Sequence, residues 1–212
     1  MLLAADSTGA PVKAGDTMQQ LSGQDASFLY LETYNSPMHI GAIMIYDPST
    51  VKGGKQGFKD ILRAIESRLH LARSFREKVV NVPFNLDHPW WVEDRHFDLE
   101  YHVRHIRLPE PGDWRQLCIQ VARLHARPLD LTRPLWEFTV VEGLDAIPGL
   151  PKGSYAIVSK VQHACIDGVS GVDMVEAIHD LEPYPTEIPK GSPWVGEHDP
   201  NPLELMARAH IS

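Results

Sequence analysis

The residues best suited to chemistry lie in one run, Lys160-Val161-Gln162-His163-Ala164-Cys165-Ile166-Asp167-Gly168-Val169-Ser170-Gly171. His163 is its candidate catalytic residue. An imidazole has an unperturbed pKa near 6.5, so it can take a proton from a hydroxyl at neutral pH and pass it on. It does so best when one ring nitrogen faces the reacting group and a hydrogen bond holds the other. A β-prone stretch delivers the chain to His163, and two glycines follow, where backbone can bend tightly or approach a ligand closely. Asp167 has two readings. Its carboxylate could face the ring, or point away and lock the loop by pairing with an arginine; the second is favoured. The run is also readable as a turn histidine followed by a plain Asp-Gly turn. Cys165, two residues on, invites a thiol-nucleophile reading, but a small buried thiol fits better.

The elements needed to position that run can be read from periodicity. Ser22 with Asp25 three residues later marks a helix start, a shortened capping box. Ile40 to Tyr46 is apolar and rich in β-branched residues, and reads as a strand buried on both faces. Phe58, Ile61, Leu62, Ile65 and Leu69 recur at three and four residues, the apolar face of a helix. Residues 75 to 107 carry short β-like pieces broken by Pro83 and Pro89. A second amphipathic helix is marked by Trp114, Leu117, Cys118, Val121 and Leu124, capped by Asp113 and ended by Pro128. Trp136 to Glu142 and Ser154 to Val161 are strongly β-prone. Val172, Met174, Val175 and Ile178 predict a short helix after the Asp167-Gly168 turn. Residues 181–202 hold six prolines and read as an extended linker. Leu203 to His210 opens another helix. Helices alternating with strands predict an α/β or α+β layered sheet.

Bulk properties narrow the function class. The 212 residues carry 28 acidic and 20 basic side chains, a net charge of −8. That argues against nucleic acid as the main partner, which needs a basic footprint. Two cysteines, Cys118 and Cys165, make no disulfide framework and read as reduced cytoplasmic thiols. Met1-Leu2-Leu3-Ala4-Ala5 has no basic segment before it turns polar at Asp6, which argues against a signal peptide. Without an apolar run of roughly 20 residues, the expected membrane contact is peripheral, at the inner membrane or a lipid-droplet surface. His96, His102 and His105 lack the acidic or thiol companions of a metal site, so no metal is expected. Arg123, Arg127 and Arg133 read as a solvated helix end rather than a phosphate site. Trp90 and Trp91 read as core or sheet packing, with a channel-wall or membrane-interface contact as the alternative; Trp136 reads as core beneath the site, and Met38 and Met44 as core rather than ligand contacts.

The motif also resembles the His-His-x-x-x-Asp-Gly signature of the bacterial wax ester synthase/diacylglycerol acyltransferase family. Three further blocks resemble that family in the same order: Leu21-Ser22-Gly23-Gln24-Asp25-Ala26-Ser27-Phe28-Leu29, Ser36-Pro37-Met38-His39-Ile40-Gly41-Ala42, and Arg133-Pro134-Leu135-Trp136. Together they cover about residues 17 to 180. The resemblance implies the N-terminal half of a two-domain, chloramphenicol acetyltransferase-like fold. It implies a long-chain acyl-CoA co-substrate, a fatty alcohol or diacylglycerol acceptor and no cofactor. His163 maps onto the family's general base, Asp167 onto its structural Asp, and Gly168 onto the residue that keeps the turn open. Gln162 stands where the motif has its first His, so the imidazole charge is missing there. The implied organisation is a lead-in over 1–19, an acyltransferase domain over 20–180, and over 181–212 a linker with the start of a helix. A second half, in the same protein or a separate chain, is expected to complete the acyl tunnel. The alternatives are a condensation-type relative with another donor and acceptor, and a non-catalytic half-protein that binds lipid or a partner.

Overall fold

The computed structural model describes residues 18–51, 53–166, 174, 176–180, 188, 191 and 198–209. Two sheets organise them. The larger has four strands in the order β2-β7-β6-β5, with β2 at His39–Tyr46, β5 at Val103–Arg107, β6 at Trp136–Glu142 and β7 at Tyr155–Gln162. β7 runs antiparallel to β2 and β6, while β5 and β6 are parallel. The smaller sheet joins β1 (Gln19–Gln20), β4 (Trp90–Glu93) and β3 (Glu77–Val80), all antiparallel. The mixed α/β layering expected from the sequence is therefore present. Gln19, the last residue of the stretch read as lead-in, pairs with Trp91.

Helices α1 (Gly23–Leu31), α2 (Phe58–Glu66), α3 (Leu99–His102), α4 (Trp114–His125) and α5 (Pro202–Ala209) complete the regular elements. Residues 174 and 176–178 are also helical, where a short helix was expected. Ser22 caps α1 by accepting from Asp25 N at 3.1 Å. Asp113 accepts from Gln116 N at 2.8 Å, and Asp113 N donates to Gln116 Oε1 at 3.2 Å, closing a capping box on α4. Leu69 lies past the end of α2 in a 3-10 turn, yet is buried with Ile61 and Ile65 as the periodicity required. The four-residue α3 was not legible among the β-like pieces of 75–107; Asp98 caps it.

The two faces of the large sheet are covered by different helices. α4 packs Leu117, Val121 and Leu124 against Val141, Ala156 and Val158. α2 packs Ile61 and Ile65 into the cluster that holds Phe138, Val140 and Ile157. Complete burial of an aliphatic side chain of this size contributes roughly 1.5–3 kcal/mol. The strand at Ile40 to Tyr46 forms as predicted, but not with both faces buried. β2 is an edge strand, and Ile40, Ile43 and Ile45 are 47%, 40% and 38% exposed. A run of β-branched residues favours extended backbone whatever its place in the sheet, and strand order is not encoded in periodicity.

Lys160 ties α4 to β7. Its ammonium is buried, 3.1 Å from the Glu137 carboxylate, and donates to Arg127 O at 2.8 Å and Leu124 O at 3.3 Å. Both carbonyls lie at the C-terminal end of α4, where a cation also meets the negative end of the helix dipole. The expected basic run thus contributes a carbonyl here, while the Arg123 and Arg127 side chains are exposed. Arg133 instead lays its guanidinium 4.1 Å from the Tyr101 ring centre. Across the strand pair from Lys160, Gly41 allows a close approach: a Cβ there would stand 2.7 Å from His125 Cδ2.

His102 is fully enclosed, stacked on Phe97 and Trp136, with Nδ1 2.8 Å from Trp136 O. Burial lowers its pKa below the ordinary 6.5. The unfolded chain therefore binds a proton more readily than the folded one, and stability falls as pH drops through about 6.5. We expect the urea midpoint to fall between about pH 7.5 and about pH 5.5, and to fall less in His102→Phe. Equal falls in the two proteins would contradict this.

Candidate active site

His163 opens a 3-10 turn, His163–Cys165, at the C-terminal end of β7. β7 is a central strand buried along almost its whole length, so its end is held on both sides. The blocks that are far apart in sequence meet here. Gln162 N donates to Leu135 O at 2.9 Å, which brings the Pro134-Leu135-Trp136 start of β6 alongside. His163 N donates to Met38 O at 2.8 Å, which brings in the Ser36–Ala42 block, and His39 pairs with Gln162 in register. Phe28, from the block that forms α1, stacks on the His163 ring with centroids 3.9 Å apart and planes 20° from parallel. The ring is therefore set by one aromatic contact and by a backbone hydrogen-bonded to the segments that lead into β6 and β2.

His163 Nδ1 is buried and has no hydrogen-bond partner among the described residues. Asp167 and Gly168, the other two predicted motif residues, lie outside the described residues. Gln162 is fully buried, and both ends of its amide are used. Nε2 donates to Glu32 Oε2 at 3.0 Å, and Oε1 accepts from Ala164 N in a short bond. Glu32 Oε2 also accepts from Met38 N at 3.4 Å. Glu32 was not singled out from the sequence. It sits just beyond α1 as its C-cap, and no spacing rule links it to a residue 130 positions away.

Cys165 is buried, and burial pushes its thiol far above the usual range. A thiolate is the nucleophilic form, so the buried-thiol reading holds over the nucleophile. His39 is also buried, with Nε2 2.7 Å from His125 O, and desolvation lowers its pKa. Trp136 is completely enclosed, as expected, and its Nε1 donates to Phe75 O at 2.9 Å. Met44 packs against the main core cluster, as expected, and also lines an apolar cavity.

Two openings flank the turn. An apolar cavity of about 100 Å³ is lined by Ile40, Met44, Val161, Ile166 and Met174, among others. A polar groove of about 560 Å³ runs past Ser22, Asp25, Arg73 and Glu77 to Ala164 and Cys165. The groove reaches two residues of the 3-10 turn, Ala164 and Cys165, and the apolar cavity reaches Ile166, the residue after it.

The wax ester synthase/diacylglycerol acyltransferase catalytic domain matches residues 21–211. The chain belongs to that family. It is 38% identical over 192 residues to the probable diacylglycerol O-acyltransferase tgs3 of Mycobacterium tuberculosis, covering 90% of this chain and 66% of that protein. It is 35% identical over 198 residues to a second Mycobacterium tuberculosis relative, Rv1760, covering 93% of this chain but only 38% of that protein. Among solved structures, the wax ester synthase/diacylglycerol acyltransferase from Marinobacter aquaeolei VT8 superposes with a TM-score of 0.58 at 32% identity. That match spans 74% of this chain and 37% of the solved one. The first condensation domain of the calcium-dependent antibiotic synthetase matches with a TM-score of 0.58 at 18% identity, over 77% of this chain and 36% of that one. The last likeness shows the fold alone. This chain thus spans a little over a third of the solved acyltransferase.

Proposed function

We propose that the protein is an O-acyltransferase that moves a long-chain acyl group from acyl-CoA to a fatty alcohol or diacylglycerol. The observation that carries this reading is the convergence of the family's separated sequence blocks on His163. The ring is stacked on Phe28 and its turn is tied to Met38. His163 acts as the general base. It takes the proton of the acceptor hydroxyl as the oxygen attacks the thioester carbonyl. The carbon–sulfur bond breaks, the ester bond forms, and the proton passes to the departing coenzyme A sulfur. Placing both substrates against one ring removes much of the entropic barrier to their encounter. The apolar cavity suits alkyl chain, and the polar groove suits the hydrophilic part of a substrate.

The reaction needs no cofactor beyond the acyl-CoA co-substrate and uses no metal. The opposite wall of the site comes from further chain, matching the extra length of the relatives, in the same polypeptide or a second one. No helix among the described residues is long and apolar enough to cross a membrane. The proposal places the protein in the cytoplasm, with any contact with a lipid surface peripheral.

The test supplies the complete protein with acyl-CoA and a fatty alcohol or diacylglycerol, and measures ester and free coenzyme A thiol. We expect the two products in equal amounts. Turnover with a carrier-protein thioester but not with acyl-CoA would instead indicate a condensation-type relative.

A further inference from the structure

Glu32 and Gln162 form a pair whose chemistry allows one arrangement. A carboxylate accepts hydrogen bonds and donates none, so the amide nitrogen of Gln162 must face Glu32. The amide oxygen must then face the other way, where Ala164 N needs an acceptor. The amide is fully buried, so reversing it would leave two polar groups without partners and two acceptors in contact. Such an arrangement is strongly disfavoured away from water. Ala164 is the middle residue of the turn that begins at His163. The same Glu32 oxygen accepts from Met38 N, and Met38 O accepts from His163 N. Glu32 therefore reaches the His163 backbone by two routes, through Gln162 to Ala164 and through Met38.

We propose that Glu32 is a positioning residue: it fixes the orientation of the Gln162 amide and, through it, the turn that presents the His163 ring. The proposal rests on the reading of His163 as general base. It assigns Gln162 a definite role, as the donor–acceptor bridge between the end of α1 and the catalytic turn. A misplaced ring loses reactivity without losing substrate affinity, so the effect belongs in kcat.

The test compares Glu32→Ala, Gln162→Glu and the double variant Glu32→Gln/Gln162→Glu in the complete protein, with acyl-CoA and a fatty alcohol as substrates. Gln162→Glu sets two carboxylates about 3.0 Å apart. In the double variant the new amide at position 32 donates to the new carboxylate at 162. That carboxylate still accepts from Ala164 N, so the route through position 162 is restored, while the long bond from Met38 N, made in the parent to the same Glu32 oxygen, is given up. We expect each single change to lower kcat by about tenfold or more with KM for acyl-CoA changed by less than about threefold, and the double variant to recover to within about threefold of the parent. A merely space-filling role predicts no such recovery. The proposal is overturned if the double variant is no faster than Gln162→Glu, or if Glu32→Ala keeps its kcat. Should Gln162→Glu fail to fold, as thermal unfolding would show, Glu32→Ala decides alone, since its side chain is only half-buried. His163→Ala separates the two readings. If it stays active, the general base is wrong; if it alone is inactive, only the positioning role is.

Discussion

In the complete protein His163→Ala is expected to form ester at about a hundredth to a ten-thousandth of the parent rate, the usual contribution of a positioned general base. The deficit should lie in kcat, because the imidazole exchanges a proton in the transition state rather than holding acyl-CoA in the ground state. Loss of the Phe28 stack should cost about 0.5–1.5 kcal/mol of stability, too little to unfold the domain. Circular dichroism and urea unfolding would check that the variant is folded, and initial-rate kinetics would give the deficit. A folded His163→Ala protein that makes ester at the parent rate would remove His163 from the mechanism.

The largest effect on stability is expected at Trp136. It has no exposed surface, and its ring lies 4.7 Å from His102, 4.8 Å from Phe138 and 5.2 Å from Phe75, centroid to centroid. Trp136→Ala would open a cavity among these rings and leave Phe75 O without its indole donor. Such truncations cost about 3–5 kcal/mol, a large share of the roughly 5–15 kcal/mol that holds a domain together. Trp136→Phe keeps a ring and loses chiefly the hydrogen bond, about 1 kcal/mol. Urea unfolding should rank parent, Trp136→Phe and Trp136→Ala in descending order. Equal midpoints for the two variants would show that ring packing at this position contributes little. Trp136 pairs with Val161 one residue before Gln162, so the alanine variant should also lose activity.

The sequence by itself determined the elements with strong local signals. Ser22 and Asp113 cap α1 and α4 because a side-chain oxygen can reach the first free N–H groups of its own helix. The apolar face of α2 and the β-branched content of β6 and β7 likewise act within a few residues. The run at His163 and the blocks around Leu21, Ser36 and Arg133 were also legible, since they are contiguous strings. What only the tertiary structure decided is which strings touch. β2 read as a buried strand lies at an edge, because strand order follows from long-range pairing, which among the described residues β2 makes only with β7. Glu32 was silent in the sequence because its partner is 130 residues away, and a hydrogen bond of that range leaves no periodic trace. Gln162 read as a departure from the motif; in the folded chain it is a buried amide satisfied at both ends. His163 was found as a residue able to move a proton. Its place on Phe28, at the end of a central strand, comes from packing that no local pattern records.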